Sequence, residues 1–409
     1  MDSSGCRVAG RGPEFGCDRL VVTCAGTSTW EIAMDLYERL GVRKIVNAQG
    51  NVTRIGGSIM PPEVLEAMAE ASRSYVSIDE LNARIGERIA ELLDVEAAYV
   101  CSGAAGGLML AAAACMAGSD PEKIVALPDT HGMPNEIVAQ RFHRSPYNQS
   151  MLAAGAKIVE VGGDRGATAA EMSKAIGPKT AAVFFSVLPL PGIWEVGLSL
   201  EEVVEIAHAR GKPVIVDASA TLPPLEHLRR FPGTGADLVA FSGGKALEGP
   251  QPTGILCGRR DLIRAAALNS NPNHAIGRPM KVGKEEMAGL LAAVELYFKR
   301  DHQADRRRWE AMCTHVAREL EGVAGITAEA RFWEARGVPA TFLTVDEGKL
   351  GMGPEEICRR LREGDPPVCL WYLYGEFTVV PNTLREGEEK IVARALKAVL
   401  AGKREQVPA

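Results

Sequence analysis

The stretch D-L-V-A-F-S-G-G-K-A-L-E-G-P-Q-P-T-G, residues 237 to 254, carries the most informative turn of the chain. Its first six residues form a short apolar run of the kind that makes a buried strand. Gly243 and Gly244 then let the backbone approach a bulky neighbour, Lys245 stands just past the strand end, and G-P-Q-P-T-G is a turn-rich return. Upstream, P-V-I-V-D at 213 to 217 is a second such run, and it closes on Asp217. Working outward, the same signal recurs in A-A-Y-V at 97 to 100, K-I-V-A-L at 123 to 127, K-I-V-E-V at 157 to 161 and A-A-V-F-F-S at 181 to 186.

Helical patterns separate these runs. G-E-R-I-A-E-L-L-D puts Ile85, Ile89, Leu92 and Leu93 on one face, and in S-L-E-E-V-V-E-I-A-H-A-R-G Ser199 can cap the helix and Gly211 can stop it. The alternation predicts an α/β fold whose large domain has a mostly parallel sheet flanked by helices. Past about residue 284 the pattern changes to a long helix from about Lys284 to Leu320, then T-F-L-T-V, P-V-C-L-W-Y-L-Y and F-T-V-V-P, then a closing helix. That is a smaller C-terminal α+β domain. The expected division is a large domain over residues 34 to 295, with 34 to 65 able to join the small one, and a small domain over 296 to 409. Residues 1 to 33 have no apolar period and read as a disordered extension, or as a stretch ahead of a natural start at Met34.

Composition narrows the function classes. The 409 residues are 46% hydrophobic with a formal net charge of -6, which argues against nucleic-acid or membrane partners, since phosphate-rich surfaces demand clustered Lys and Arg. The basic run Arg306, Arg307 and Arg308 reads as a solvated helix face. Nine cysteines without a C-x-x-C pair suggest neither disulfides nor a metal site, and no signal-peptide or membrane-spanning run is present. A cytoplasmic protein is expected.

An acidic residue closing one buried strand and a lysine just past the next is what a pyridoxal 5'-phosphate site requires. Lys245 supplies the amine for a Schiff base with the aldehyde. Asp217 supplies the carboxylate that keeps the pyridine nitrogen protonated. The phosphate belongs at a helix N-terminus, and the run Ser102, Gly103, Ala104, Ala105 ahead of an Ala-rich helix offers amides and a hydroxyl, with Ser242 as a further contact. Taken singly, each signal has a bland reading: a surface turn lysine, a helix cap, a tightly packed Gly-Ala loop. In this order on successive strand ends they point to the cofactor.

These residues resemble the fold-type I pyridoxal phosphate enzymes, in the branch of bacterial selenocysteine synthase (SelA) and the D-glucosaminate-6-phosphate ammonia-lyases. The likeness runs from about Lys44 to Leu296 and rests on K-I-V-N-A-Q-G-N-V-T-R, P-D-T-H-G-M-P-N-E, the lysine stretch itself, and I-G-R-P-M-K-V-G-K-E-E. It implies the fold-type I transferase architecture, Lys245 as Schiff-base lysine, Asp217 as pyridinium partner, and phosphate contacts at Ser102, Gly103, Ala104 and Ser242. It also implies a side chain after the next strand stacked on the ring. His131 is the candidate, with a solvent-facing loop histidine as the equal alternative.

The same resemblance places Arg54, Arg278 and Lys281 at the mouth as substrate contacts, structural ion pairs being the alternative. His274 is a candidate acid for a departing hydroxyl, against a histidine merely satisfied locally. It implies at least a homodimer with sites at the interface, which brings Thr253 of the turn-rich return near a cofactor phosphate. Selenocysteine synthase acts on seryl-tRNA, for which this acidic chain lacks basic excess, so the small-molecule lyases are the nearer likeness. The implied activity is α,β-elimination of a 2-amino-3-hydroxy acid to a 2-oxo acid and ammonia. An amino-acid racemase or epimerase is the rival, and a non-catalytic cofactor-binding assembly protein the third reading.

Overall fold

The computed structural model describes residues 35–187, 197–373 and 375–402, together with backbone strands at Arg7–Val8, Arg19–Thr23 and Trp30–Ala33 that pair in chain order. The remainder of the extension expected over residues 1 to 33 lies outside the described residues.

Strand β1 (Val46–Ala48) precedes the seven strands of the central sheet. These are β2 (Ala97–Ser102), β3 (Glu136–Gln140), β4 (Lys157–Val161), β5 (Thr180–Ser186), β6 (Val214–Asp217), β7 (Leu238–Ser242) and β8 (Thr253–Gly258), in the order β2-β8-β7-β6-β5-β3-β4. All neighbours pair in parallel except β8, which runs antiparallel to both β2 and β7. The strands read as continuous apolar runs because both faces are covered. One face packs α1 (Ile78–Leu93), α3 (Leu200–Ala209) and α5 (Lys284–Lys299), through Ile85, Val203 and Leu290 among others. The other packs α2 (Gly103–Ala117) and α4 (Arg260–Leu268). Small residues let α2 lie close on the sheet: a Cβ on Gly107 would stand 3.0 Å from the Cys101 sulfur and 3.6 Å from the Ala240 Cβ.

The structure corrects two expectations. K-I-V-A-L at 123 to 127 is not a strand, for the helix Pro121–Ala126 covers most of it. Asp120 accepts from the Glu122 and Lys123 amides and Pro121 sits in the first turn, so the start signals outweigh the apolar run. The strand of this region is β3, further on. The long helix expected to reach Leu320 is two helices, α5 and α6 (His302–Glu319), because Arg300 is extended and Asp301 caps α6 by accepting from the Ala304 amide. Ser199 does cap α3, in a reciprocal pairing with Glu202, and Gly211 follows in the left-handed region.

A second sheet has the order β9-β10-β12-β11-β1, with β9 Ile326–Trp333, β10 Val338–Val345, β11 Val368–Leu373 and β12 Glu376–Val379. Strand β1 joins it by pairing parallel with β11. Helices α6, α7 (Pro354–Glu363) and α8 (Glu388–Leu400) cover it around Trp309, Val316, Ile357 and Leu396. Among the described residues no helix is long and apolar enough to cross a membrane.

Candidate active site

Side-chain parity aims the strand ends. Ile215, Leu238, Ala240 and Phe184 pack on the α2 face, so Asp217, Ser242 and Ser186, two residues on from Ile215, Ala240 and Phe184, share that face at the carboxyl edge. The register puts Ser186 beside Asp217, and Asp217 beside Ala240. This edge, outside the carboxyl ends of parallel strands, is where α/β sheets hold ligands.

Lys245 leaves β7 on a tightly closed turn. The Glu248 amide donates to the Lys245 carbonyl, and the Gly249 amide to the Gly243 carbonyl, both at 2.9 Å. Only glycine fits at the two preceding positions: a Cβ on Gly243 would lie 2.1 Å from the Thr253 Oγ1, and one on Gly244 2.4 Å from the Gln251 Cα. Burial pushes the Lys245 ammonium down from the ordinary lysine value, with Asp217 opposing the shift and Arg336 adding to it. A lysine in this environment yields its proton readily. Asp217 is 8% exposed, and among the described residues its carboxylate accepts one hydrogen bond, at Oδ1 from the Ser219 amide.

Helix α2 begins at the same edge. Ser102 stands at its N-cap without a side-chain capping bond, which leaves the first-turn amides of Gly103, Ala104 and Ala105 to a ligand. Gly254 of β8 presses against this turn, since a Cβ there would be 2.4 Å from the Gly103 carbonyl carbon. The register pairs Ser102 with Thr253 and Gly254 with Ser242, which lines up β2, β8 and β7 at the carboxyl edge. A half-buried lysine, a buried carboxylate and an uncapped fifteen-residue helix at one edge of the sheet fit pyridoxal phosphate.

The remaining predicted residues divide. Arg54 is exposed in the short turn Thr53–Ile55, which is tied to the turn-rich return by Gln251 Nε2 donating to the Thr53 carbonyl at 2.8 Å. Arg278 is half-buried and Lys281 exposed, on a loop that reaches α2 through Met280, whose sulfur would lie 3.5 Å from a Cβ on Gly106. His274 is exposed on the same loop. Thr253 is fully buried on the face away from α2 and donates to the Pro250 carbonyl at 2.6 Å. His131 is exposed and precedes β3, and its neighbour Thr130 bonds to Gly155 ahead of β4. It therefore sits at the amino edge, about 16 Å of strand away from Asp217. The structure does not bring His131 or Thr253 to the cluster of Lys245 and Asp217.

Among the described residues, three further polar side chains line the cleft that holds Lys245: Asn51, Arg336 and Asn382. Arg336, in the turn between β9 and β10, lies over the Trp371 ring at 4.0 Å and the Trp333 ring at 5.0 Å. Nothing local in W-E-A-R-G marks it, because its neighbour Lys245 comes from the other sheet. Ser186 carried a readable signal, as the closing polar residue of an apolar run. Among the described residues no three His, Cys, Asp or Glu side chains gather as metal ligands.

Comparison with known proteins agrees with this geometry. The family profile described as SelA, L-seryl-tRNA selenium transferase, matches residues 45–332. The chain is 33% identical to the D-glucosaminate-6-phosphate ammonia lyase of Salmonella typhimurium over 373 residues, 89% of this chain and 98% of that protein. It is 36% identical over 375 residues to the 5'-C-glycyluridine monooxygenase-decarboxylase of a Streptomyces species, covering 89% and 92%. A solved D-glucosaminate-6-phosphate ammonia-lyase superposes with a TM-score of 0.80 at 30% identity, covering 91% of this chain and all of that one. A serine palmitoyltransferase variant from S. paucimobilis, solved with a bound pyridoxal phosphate–myriocin aldimine, shares the fold alone, with a TM-score of 0.55 and 11% identity over 88% of each chain.

Proposed function

Because the chain belongs to the SelA, L-seryl-tRNA selenium transferase, family and is a pyridoxal phosphate enzyme of fold type I, we propose that it is an ammonia-lyase. Its substrate in this reading is a 2-amino-3-hydroxy acid of the D-glucosaminate 6-phosphate kind. The observation that carries it is the likeness to the ammonia lyase over nearly the whole length of both chains, at a site where Lys245 and Asp217 meet on one edge.

When bound, the cofactor supplies an aldehyde for the substrate amine and an electron-poor ring that acidifies the α-carbon. Asp217 holds the proton on the ring nitrogen. The amides of Gly103, Ala104 and Ala105, with the hydroxyls of Ser102 and Ser242, hold the phosphate. Lys245 Nζ, inclined to neutrality by its burial, takes the α-proton and delivers it to the departing β-hydroxyl, which leaves as water. Arg336, fixed against two tryptophan rings, orients the substrate carboxylate, and Arg54, Arg278 and Lys281 serve the outer part of the substrate.

Exposed apolar side chains between Leu36 and Val76, including Leu40, Ile59 and Tyr75, support at least a homodimer. The pairing of β1 with β11 supports a small domain that takes in part of residues 34 to 65 as well as 296 onward.

The test is incubation of the loaded enzyme with D-glucosaminate 6-phosphate and related 2-amino-3-hydroxy acids. Ammonia and a 2-oxo acid should appear together. Solvent deuterium at the α-carbon with inverted configuration and no ammonia would instead make it a racemase. The 36% likeness to the monooxygenase-decarboxylase favours a second reading, for which 5'-C-glycyluridine should drive oxygen uptake and carbon dioxide release. A loaded protein without a borohydride-sensitive band near ~420 nm would remove the enzyme reading altogether.

A further inference from the structure

Asn382 lies in the short turn Pro381–Thr383 that follows β12, and it lines both the Lys245 cleft and a larger outer cavity of about 980 Å³. Its Nδ2 donates to Asn51 Oδ1 at 3.0 Å, and Asn51 Nδ2 donates to the Gly57 carbonyl at 3.2 Å. This short relay has a direction. The Gly57 carbonyl can only accept, so Asn51 must turn its amide nitrogen there and its oxygen to Asn382. Asn382 must in turn offer Asn51 its nitrogen, which leaves its Oδ1 facing elsewhere. That oxygen is buried and has no hydrogen-bond partner among the described residues.

A buried acceptor without a donor is costly, and the surroundings hold it in place rather than relieve it. The Val380 amide donates to the Ala48 carbonyl and the Thr383 hydroxyl to the Asn47 carbonyl, which clamps the turn to β1 itself. Gly50 stands before the oxygen in the left-handed region, where a Cβ would lie 3.4 Å from Oδ1. Gly57 itself abuts the Gly244 carbonyl of the lysine turn, so the relay is anchored beside Lys245.

We propose that Asn382, aimed by Asn51, is a specificity-determining acceptor that takes a hydroxyl hydrogen of a polyhydroxylated acid lying between the Lys245 cleft and the outer cavity. This rests on the ammonia-lyase reading for the class of substrate and adds which atom recognises its hydroxyls. An acceptor with no donor of its own selects ligands that bring one, and it penalises a deoxy chain that would leave it bare.

Calorimetric titration of the pyridoxal phosphate-loaded protein with D-gluconate and with hexanoate tests it. Neither acid carries an amine, so neither turns over, and failure of the elimination reading shows separately as absent ammonia. Wild-type protein should prefer gluconate by about tenfold, and Asn382→Ala should shrink that preference to about twofold. Asn51→Leu, which lets Asn382 rotate, should shrink it too, and it reports the same difference should the alanine variant fail to fold. A wild type without preference, or a preference that survives in the folded variants because water alone satisfies the oxygen, overturns the assignment.

Discussion

Two buried aspartates sit at opposite edges of the central sheet, Asp217 closing β6 and Asp237 preceding β7. Asp237 is saturated: it accepts from the Val214 amide at 2.8 Å, His208 Nε2 approaches at 2.9 Å, and Arg259 pairs with it at 2.7 Å. Asp217 has a single donor among the described residues, and Lys245 feels its charge. The same side chain at similar depth thus ties strands together at one edge and is kept in reserve at the other. A buried carboxylate whose needs are met within the chain is structural, whereas one left short is waiting for a ligand.

The contrast breaks if the two aspartates exchange roles under mutation. Asp217→Asn should lower turnover by about 10²-fold or more with little change in the thermal midpoint, since it removes a charge that acts on the ring. Asp237→Ala should instead cost about 1–3 kcal/mol of stability by stranding the Val214 amide, and leave kcat of the folded fraction unchanged. Kinetics and thermal unfolding of both variants decide.

Lys245 sharpens the comparison through pH. Its proton affinity is lowered in the folded chain, so burying the ammonium works against folding of the cofactor-free protein. That cost is full below the lowered value and vanishes above the unfolded value near ~10.4. Cofactor-free Lys245→Met should therefore melt above wild type at neutral pH, with the gap closing as pH rises toward about 10. A gap that stays constant would mean that methionine helps by packing alone. The smallest effect belongs to the amino edge: His131→Ala should change turnover by less than about twofold and stability by less than about 0.5 kcal/mol. A loss of a hundredfold would put His131 back at the site.

The strands that bear Asp217 and Lys245 were legible because both faces are covered, which makes them unbroken apolar runs. Strand β3, E-I-V-A-Q, was not, for its polar ends disguise it, while the louder K-I-V-A-L nearby is claimed by the Asp120 and Pro121 helix start. That exchange explains His131, which follows the expected strand but precedes the real one. The positions that follow β3 are Arg141, Phe142 and His143, and His143 is wedged between the Phe142 and Phe185 rings, where burial pushes its imidazole down to about 3. Arg336 and Asn382 had no local signature, and Asn51, although inside the quoted stretch K-I-V-N-A-Q-G-N-V-T-R, had nothing to single it out there. They meet Lys245 only because β1 crosses to the second sheet and brings Asn51 to Asn382, far along the chain. Thr253 is ambiguous for another reason: a turn hydroxyl beside glycines is as useful for closing the turn, as it does here toward Pro250, as for holding an anion.

The reversed strand β8 has a consequence for the growing chain. β2 sits at the edge of the central sheet and, among the described residues, pairs there with β8 alone, and Gly254 of β8 is what backs the first turn of α2. During synthesis from the N-terminus, β2 and α2 emerge early and wait, with neither edge of β2 paired, until residue 258 has been added. The proposed seat for the phosphate is therefore among the last parts of the large sheet to be completed, and on that proposal a nascent chain cannot be loaded piecemeal. Cofactor capture becomes a signal that the whole sheet has closed.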